Sequence, residues 1–268
     1  MKLQTPSRRW IRRAAALVAC AAVTGCAVDD EPIPPVPGGR TIHPAPRSPV
    51  TSREMLGASV LGEPITLEKF GDGPVNVLVL GGIHGDEVTS VDVTRGLAAL
   101  LRADPALVPP GRTVSIIDVA NPDGYARKTR SNSRDIDLNR NFPARNFKAG
   151  GGRGFRGGSA PASEPETRAI LTAIAQLRPR LIISVHSIRG GKQQNNYDGP
   201  AQAVAELMAA RNGYPVTANI GYPTPGSLGS YAGGDLQIPV ITLELPREQS
   251  GAAAWAQNRE ALLAALRW

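Results

Sequence analysis

Short apolar runs alternate with longer amphipathic stretches along most of the chain. Four runs rich in β-branched residues predict buried strands at 75–80, 113–119, 181–185 and 239–245. Helical patterns predict helices at 88–103, 164–177, 200–211 and 251–267. This alternation predicts a single α/β domain with a mixed, mostly parallel central sheet flanked by helices. In such a domain, binding residues are expected at the carboxyl ends of the strands.

The N-terminal residues have the pattern of an export signal. Basic residues between Lys2 and Arg13 precede an uncharged run, Ala14 to Gly25, which is too short to span a bilayer. The ending Val-Thr-Gly-Cys at Cys26 resembles the lipobox of bacterial lipoproteins, in which the cysteine is acylated. We therefore expect a lipoprotein signal peptide over 1–25 and an exported protein anchored to the membrane at its periplasmic face through lipid on Cys26.

The charge of the chain is concentrated in this leader. The formal net charge is +7, but residues 1–25 hold five basic and no acidic residues, so the remainder carries +2. A basic balance of that origin does not predict a nucleic-acid partner. The two cysteines are Cys20, inside the signal peptide, and Cys26. The mature domain is therefore expected to form no internal disulfide.

A proline-rich stretch separates the leader from the patterned region. We interpret residues 26–52 as an extended tether and residues 53–268 as the catalytic domain. His43 lies in the tether. It is not expected to bind a metal, because an unpacked segment does not hold a ligand in place.

Two histidines and a glutamate are the first candidates for chemistry. His84 and Glu87 follow the predicted strand that ends at Leu80, and a spacing of three places them on one side of a helical turn. His186 ends another predicted strand. Two histidines and a carboxylate with an open fourth position are typical of catalytic zinc. The alternatives are a helix N-terminal acid beside a loop histidine, and a core histidine at position 186.

The segment between these ligands is rich in arginine. It opens with Asn-Pro-Asp-Gly at 121–124, which predicts a turn. Four arginines among several amides then suit the binding of carboxylates or of a developing oxyanion; they are Arg127, Arg130, Arg134 and Arg140. A solvated basic loop is the alternative, which the apolar Phe142 and Pro143 argue against.

Taken together, the motifs resemble the zinc carboxypeptidase family. His-x-x-Glu, Asn-Pro-Asp-Gly, Arg-Lys-Thr-Arg, Asp-Leu-Asn-Arg-Asn-Phe-Pro, a strand-terminal His-Ser and a late Thr-Leu-Glu-Leu occur in the order found there. The resemblance covers residues 53–268. Within the family, Ser163-Glu-Pro-Glu166 and the loop that begins at Tyr222 are most similar to amidases that cleave between γ-D-glutamate and diaminopimelate in murein peptides.

The resemblance implies one zinc ion held by His84, Glu87 and His186. It also implies that Asp137 orients the first zinc histidine and that Glu244, at the end of the last predicted core strand, is the general base.

Asn139 and Arg140 match the pair that binds the terminal carboxylate of the substrate in this family. Two further assignments stay open. Arg127 matches the arginine that polarises the scissile carbonyl, but the loop is short, which leaves Arg130 as the alternative. Tyr222 has the spacing of the family's mobile tyrosine, with Tyr197 and Tyr231 as possible substitutes.

The expected function is zinc-dependent hydrolysis of an amide bond in murein peptides that carry a free terminal carboxylate. One alternative is an N-acyl amino acid hydrolase of the aspartoacylase or succinylglutamate desuccinylase type, against which Asn-Pro-Asp-Gly and Asn-Phe-Pro argue. The other is a non-catalytic peptide-binding lipoprotein, against which the intact ligand set and Glu244 argue.

Four further segments lie beside these motifs. Ser163 and Glu166 predict a capping box at a helix start, and the glycine-rich 150–158 lacks the ending of a phosphate loop and is expected to form a flexible rim of the cleft. The loop 221–234 is expected to shape the pocket for the residue after the scissile bond. Arg189 and Lys192 are either contacts for an extra substrate carboxylate or solvated charges.

Overall fold

An eight-stranded sheet forms the centre of the fold. The computed structural model of the protein describes residues 52–151, 156–218 and 220–268. The predicted signal peptide, the lipidation site Cys26 and the tether with His43 lie outside the described residues, as do residues 152–155 of the glycine-rich segment.

Parallel strands form the middle of the sheet, and antiparallel strands extend it on both sides. The strands are β1 (Ser52–Ala58), β2 (Pro64–Phe70), β3 (Val75–Leu80), β4 (Arg112–Ile117), β5 (Leu181–Ile188), β6 (Gln194–Asp198), β7 (Val216–Thr217) and β8 (Val240–Pro246). Their spatial order is β1-β2-β4-β3-β5-β8-β6-β7. The inner strands β4, β3, β5 and β8 run parallel, whereas β2 and β6 run antiparallel to the inner strands beside them.

Five α-helices accompany the strands in the described part of the chain. They are α1 (Val88–Ala103), α2 (Pro122–Arg127), α3 (Pro165–Leu177), α4 (Gln202–Asn212) and α5 (Gly251–Arg267). The predicted helices at 88–103 and 251–267 are confirmed, and the other two begin one or two residues later than predicted. Among the described residues, no helix combines the length and the apolar character that crossing a membrane requires.

Alternate residues of the inner strands pack into two cores, one on each face of the sheet. Val77 and Val79 face a core that includes residues of α1, α4 and α5. Leu78 and Leu80 face the opposite core, which includes residues of α3. Burial on both faces explains why these strands are continuous apolar runs, which made them predictable. The predicted α/β fold with a mixed sheet is confirmed.

Strand β6 was not predicted because its sequence, Gln-Asn-Asn-Tyr-Asp, is polar. Asn195 is nevertheless fully buried, and its amide donates hydrogen bonds to Asn212 Oδ1 (3.1 Å) and the carbonyl oxygen of Tyr214 (3.2 Å). A buried amide is tolerated when its hydrogen bonds are made. The polar strand is thus fixed between β8 and β7 by contacts that an apolar pattern does not reveal.

The prediction of a turn at 121–124 is wrong. Asn121 caps α2, since its Oδ1 accepts a hydrogen bond from the backbone N–H of Gly124 (2.9 Å). Pro122 occupies the first helical position, where the missing N–H costs no intrahelical hydrogen bond. The same residue types therefore begin a short helix rather than a turn.

The predicted capping box at Ser163 and Glu166 is also wrong. Glu164 precedes α3 and makes no side-chain cap, and the Ser163 hydroxyl donates to Glu164 (2.8 Å). Glu166 is fully buried and accepts hydrogen bonds from the backbone of Val60 (3.0 Å) and the side chain of Asn132 (3.1 Å). Glu164 and Glu166 are therefore structural, but their hydrogen bonds connect α3 to other segments and do not cap its N-terminus.

Candidate zinc centre and active site

The predicted site residues meet at the carboxyl ends of the inner strands. His84 and Glu87 lie between β3 and α1, whereas His186 belongs to β5 and Glu244 to β8. His186 and Glu244 are direct neighbours in the parallel register of β5 and β8. Carboxyl ends of parallel strands share one edge, which brings together residues far apart in sequence.

The three predicted zinc ligands form one buried cluster. His84 Nδ1 lies 2.8 Å from Glu87 Oε1, and His186 Nδ1 lies 3.0 Å from Glu87 Oε2. The two Nδ1 atoms are 3.2 Å apart. Each residue offers one ligand atom to a group in which all such atoms lie within 4.8 Å of one another.

The other nitrogen of each imidazole has a partner outside the cluster. His84 Nε2 lies 3.0 Å from Asp137 Oδ1, and His186 Nε2 lies 3.0 Å from Ser184 Oγ. Such contacts fix the orientation of metal-binding histidines. Both rings are thereby held with Nδ1 turned to the same point, and Asp137 occupies the place predicted for it.

The cluster fits a zinc ion in both geometry and chemistry. Zinc–nitrogen bonds of about 2.0–2.1 Å at a tetrahedral centre place two nitrogens roughly 3.4 Å apart, close to the 3.2 Å between the histidines. Two imidazoles and one carboxylate also leave a coordination position open, as catalytic zinc sites do. His84, Glu87 and His186 can therefore hold this metal.

Neighbouring groups keep the acids of this centre ionised. Burial alone would raise the pKa of Glu87, but His84 and His186 outweigh it and hold the pKa well below its usual range. Burial likewise opposes ionisation of Asp137, whose pKa is lowered by His84, Arg130 and Arg140. Metal ligands and the groups that orient them bind best when deprotonated.

Glu244 has the opposite environment. It is buried, and burial together with the negative charge of Glu87 raises the pKa of its carboxyl to about 8. A carboxyl group that titrates near neutral pH is suited to accept and return a proton. Its position beside His186 places it at the predicted metal site.

Of the two candidate arginines, the structure places Arg130 at the site. Arg130 Nε donates to Asp137 Oδ2 (3.1 Å), its Nη1 lies 3.5 Å from Glu87 Oε1, and the residue lines the cavity that contains the zinc ligands. Arg127 ends α2, is exposed, and does not line that cavity. The loop turns inward after Arg127, which the motif alone did not reveal.

A buried amide holds the loop that carries Arg130. Asn132 donates to Glu164 (2.8 Å) and Glu166 (3.1 Å), and its Oδ1 accepts from the backbone of Arg134 (3.0 Å) and Ile136 (3.1 Å). Sequence reasoning missed this role. Nothing in the local sequence distinguishes Asn132 from the other amides of this segment, because its partners Glu164 and Glu166 lie about 30 residues further along the chain.

Asn139 and Arg140 follow Asp137 in a single turn of 3-10 helix. Asp137 Oδ1 accepts the backbone N–H of Asn139 (2.9 Å), and Asn139 Oδ1 accepts the N–H of Leu228 (2.9 Å). Arg140 is only 5% exposed, and one of its guanidinium N–H groups donates to the carbonyl oxygen of Asn139 (2.7 Å). Both residues line the cavity.

Among the three candidate tyrosines, Tyr222 is the one that lines the cavity. It is 47% exposed and hydrogen-bonded to Arg140. Tyr197 donates instead to Gln202 (3.3 Å), and Tyr231 stacks on Phe142 with ring centroids 6.3 Å apart. The predicted position of the mobile tyrosine is thus at the site, and the two substitutes are not.

The cavity has a volume of about 310 Å³. Arg189 lines it, whereas Lys192 does not. Several lining residues were missed by sequence reasoning, including Asn196, Asp198, Thr242 and Arg247. Asn196 and Asp198 alternate along the unpredicted strand β6, and Arg247 forms an ion pair with Asp86.

Comparison with known proteins places this site in a family. The sequence pattern of the family described as zinc carboxypeptidase matches residues 45–198. The chain belongs to the zinc carboxypeptidase family. The match contains His84, Glu87 and His186, and this confirms the predictions of a peptide-hydrolysing enzyme and of zinc as its cofactor.

Individual members of the zinc carboxypeptidase family are similar over most of the domain. Murein peptide amidase A of Escherichia coli (strain K12) is 34% identical over 215 residues, which cover 75% of this chain and 82% of that protein. The crystal structure of murein-tripeptide amidase MpaA from Escherichia coli O157 is 32% identical, with a TM-score of 0.67 over 81% of this chain and 92% of that one.

A more distant member shows the breadth of the fold. Carboxypeptidase A from Helicoverpa armigera is 21% identical and superposes with a TM-score of 0.69 over 81% of this chain and 68% of that one. At this identity the likeness concerns the fold alone. It confirms that the mixed sheet with its flanking helices is that of zinc carboxypeptidases.

Proposed function

We propose that this enzyme hydrolyses the amide bond between γ-D-glutamate and diaminopimelate in murein peptides. The observation that carries the proposal is the 34% identity to murein peptide amidase A over 82% of that protein. The cavity supports it, because it combines a zinc centre with cationic groups suited to a peptide that ends in a carboxylate.

The proposed carboxylate site consists of Asn139 and Arg140. Arg140 is buried at the cavity wall, and its planar guanidinium is suited to pair with two carboxylate oxygens. Tyr222 lies beside it and can close over a bound peptide. A free terminal carboxylate would thereby be fixed at a set distance from the zinc centre.

In the proposed reaction, zinc, Glu244 and Arg130 each have a separate role. Zinc held by His84, Glu87 and His186 would polarise the scissile carbonyl and lower the pKa of the attacking water. Glu244 takes the proton from that water and passes it to the leaving amine.

Arg130 is the proposed donor to the developing negative charge on the carbonyl oxygen. Its Nε is bound to Asp137 Oδ2, which fixes the guanidinium before substrate arrives. Donors that are oriented in advance stabilise such a charge more than mobile ones. Arg127 is exposed and does not line the cavity, so we do not assign it this task.

We further propose that the enzyme is exported and tethered at the periplasmic face through lipid on Cys26, where murein peptides occur. The leader and its lipobox-like ending support this part of the proposal. A Cys26→Ser variant should be released from membranes as a soluble protein. Unchanged membrane association of that variant would contradict the anchor.

The substrate is tested by incubating the zinc-loaded protein, expressed from about residue 53, with L-Ala-γ-D-Glu-diaminopimelate and with ordinary L-peptides. Mass spectrometry should detect free diaminopimelate from the first, and a chelator should abolish its release. Release of ordinary C-terminal residues alone would retain the zinc chemistry and refute the murein substrate. A Glu248→Gln variant, altered at an exposed acid near the last strand, is the control.

A further inference from the structure

The active-site cavity extends over both faces of the sheet. On one face it is lined by Asn139 and Arg140. The flanking residues Leu138 and Phe142 are buried in the core that includes α3. On the other face the cavity is lined by Arg247, which follows β8 and precedes α5, a helix of the opposite core. A peptide bound in this cavity therefore crosses the carboxyl edge of the sheet.

The proposed carboxylate site sets the direction of such a peptide. With its terminal carboxylate at Asn139 and Arg140, the residue that is released lies on the α3 side of the zinc ligands. The residue on the acyl side, whose carboxyl forms the scissile amide, then lies toward Arg247. The positive charge of Arg247 partly offsets the rise in the pKa of Glu244 that burial causes. The guanidinium of Arg247 is thus close to the general base.

The proposed murein substrate carries a negative charge on its acyl side. The scissile amide is formed by the side-chain carboxyl of D-glutamate, so the α-carboxyl of that residue is free and ionised at neutral pH. Three carbon atoms join it to the scissile carbonyl carbon, which places the two carboxyl carbons roughly 5 Å apart in an extended chain. In an ordinary peptide the scissile carbonyl is the α-carboxyl itself. A cation on the acyl side would therefore distinguish the two kinds of bond.

Arg247 is oriented by contacts within the protein. Its backbone N–H donates to the carbonyl oxygen of Ile188 (2.9 Å). Its Nη2 forms an ion pair with the carboxylate of Asp86 and donates to the backbone carbonyl oxygen of Asp86 (2.9 Å). Neither Nε nor Nη1 donates a hydrogen bond to another described residue. The guanidinium is thus held in place before a ligand arrives and keeps donors for it.

Arg189 supplies a second positive charge on the same side of the cavity. It directly follows Ile188, the residue bound to the backbone of Arg247, and it lines the cavity. Arg189 is exposed and makes no ion pair or side-chain hydrogen bond with another described residue. Lys192 belongs to the same loop and does not line the cavity. Two guanidinium groups can each donate to the same carboxylate.

We propose that Arg247 and Arg189 bind a carboxylate on the acyl-side residue of the substrate, which in a γ-D-glutamyl peptide is the free α-carboxylate. The inference rests on the proposed function and names a part of the substrate that the enzyme recognises besides the terminal carboxylate. It makes Arg247 and Arg189 residues that determine the preference for γ-D-glutamyl amides over ordinary peptide bonds.

A matched pair of substrates tests this inference. L-Ala-γ-D-Glu-diaminopimelate is compared with its D-isoglutamine counterpart, in which a carboxamide of nearly the same size replaces the α-carboxylate. The unaltered, zinc-loaded enzyme should hydrolyse the acid with a kcat/KM about 10- to 100-fold above that of the amide, the range expected for charge-assisted hydrogen bonds. Equal kcat/KM values for the two substrates would overturn the inference.

Variants show whether the two arginines cause this preference. Arg247→Gln should bring the ratio of the two kcat/KM values close to one, and Arg189→Gln should lower it in part. Lys192→Gln, altered in the same loop outside the cavity, should keep the ratio. A general loss of activity lowers both rates equally and leaves the ratio unchanged. Arg189 is exposed, so its variant should fold even if Arg247→Gln does not; an unchanged ratio in the folded variants would overturn the inference.

A second set of substrates separates this inference from the proposed function. These are ordinary L-peptides whose penultimate residue is aspartate or asparagine. If only ordinary peptides are cleaved, with an Arg247-dependent preference for aspartate, the murein proposal fails and this inference stands. If only ordinary peptides are cleaved and no such preference is found, both fail. If the γ-D-glutamyl acid and its amide are cleaved equally well, the inference fails and the murein proposal stands.

Discussion

Two carboxylates of the active-site cavity, Glu87 at the zinc centre and Asp198 on β6, lie in opposite charge environments. At the zinc end, Glu87 contacts both histidines and also accepts the backbone N–H of Ser187 (2.9 Å). Asp198, the last residue of β6, has no charged partner among the described residues. Both carboxylates line the same cavity.

The difference lies in the hydrogen-bond network of the zinc end. A network whose members are all hydrogen-bonded holds its geometry before substrate arrives, which a metal centre requires. Variants at the zinc end should therefore affect the hydrolysis of every peptide, because the geometry of the metal centre depends on each member of this network.

The largest effect is expected when the zinc end is broken. A His84→Ala variant removes one of three ligands and should lose both zinc and hydrolysis of every peptide tested. Zinc content is measured by mass spectrometry on the dialysed protein. His43→Ala, in the predicted tether, is the matched control when both variants are made in a protein that retains residues 26–268, and it should keep both zinc and activity; full zinc occupancy in His84→Ala would contradict the ligand set.

The next largest effect is expected at the general base, Glu244, where loss of proton transfer can be distinguished from loss of the metal. Glu244→Gln keeps the size of the side chain and removes the base, so zinc should stay bound while the turnover rate falls by about 10²- to 10⁴-fold. Steady-state rates and zinc content are measured together, with Glu248→Gln as control. Retained turnover in Glu244→Gln would refute the assignment of the base.

A paired comparison of two arginines should give a somewhat smaller effect. Arg130→Ala should lower kcat by about 10²- to 10³-fold, as expected for loss of one oxyanion donor. Arg127→Ala should leave kcat near that of the unaltered enzyme because its side chain is exposed. If Arg127→Ala lowered kcat more than Arg130→Ala did, Arg127 would be the oxyanion donor.

A change at Asp137 should weaken the centre without abolishing it. Asp137→Asn keeps a hydrogen-bond partner for His84 but removes the charge, so zinc affinity should fall by about 10- to 100-fold. Competition with a chromophoric chelator measures that affinity. Asp135→Asn, two residues earlier and half exposed, is the control; equal zinc affinity in the two variants would exclude a role for Asp137 in orienting His84.

The smallest effect is expected at the exposed rim. Tyr222→Phe removes one hydroxyl hydrogen bond and should lower kcat/KM by about 2- to 10-fold. Tyr231→Phe, which alters the tyrosine stacked on Phe142, should have no effect. A loss above 100-fold in Tyr222→Phe would show that the hydroxyl takes part in the chemistry.

The sequence predicted those elements whose pattern depends on local burial. The inner strands and the helices α1 and α5 were recognisable because their residues are apolar on the faces that meet the two cores. Strands β1 and β2 and the polar β6 were missed, since their pairing depends on partners distant in the chain. The sequence pattern therefore did not predict the antiparallel strands on the two sides of the sheet.

The same distinction applies to the site. Four site residues lie near the carboxyl ends of apolar strands or in the segment after them, so their motifs could be placed at one edge of the sheet; they are His84, Glu87, His186 and Glu244. The choice between Arg127 and Arg130 depends on where a short loop turns, which composition does not encode. Asp198 was not predicted at all because its place in the cavity follows from the register of β6 on β8.

That register also fixes which side chains of β6 line the cavity. Side chains of a strand alternate, so the face of β6 that lines the cavity offers only every second residue. A slip of β6 by one residue on β8 would turn Asn196 and Asp198 away from the cavity, because successive side chains of a strand point to opposite faces.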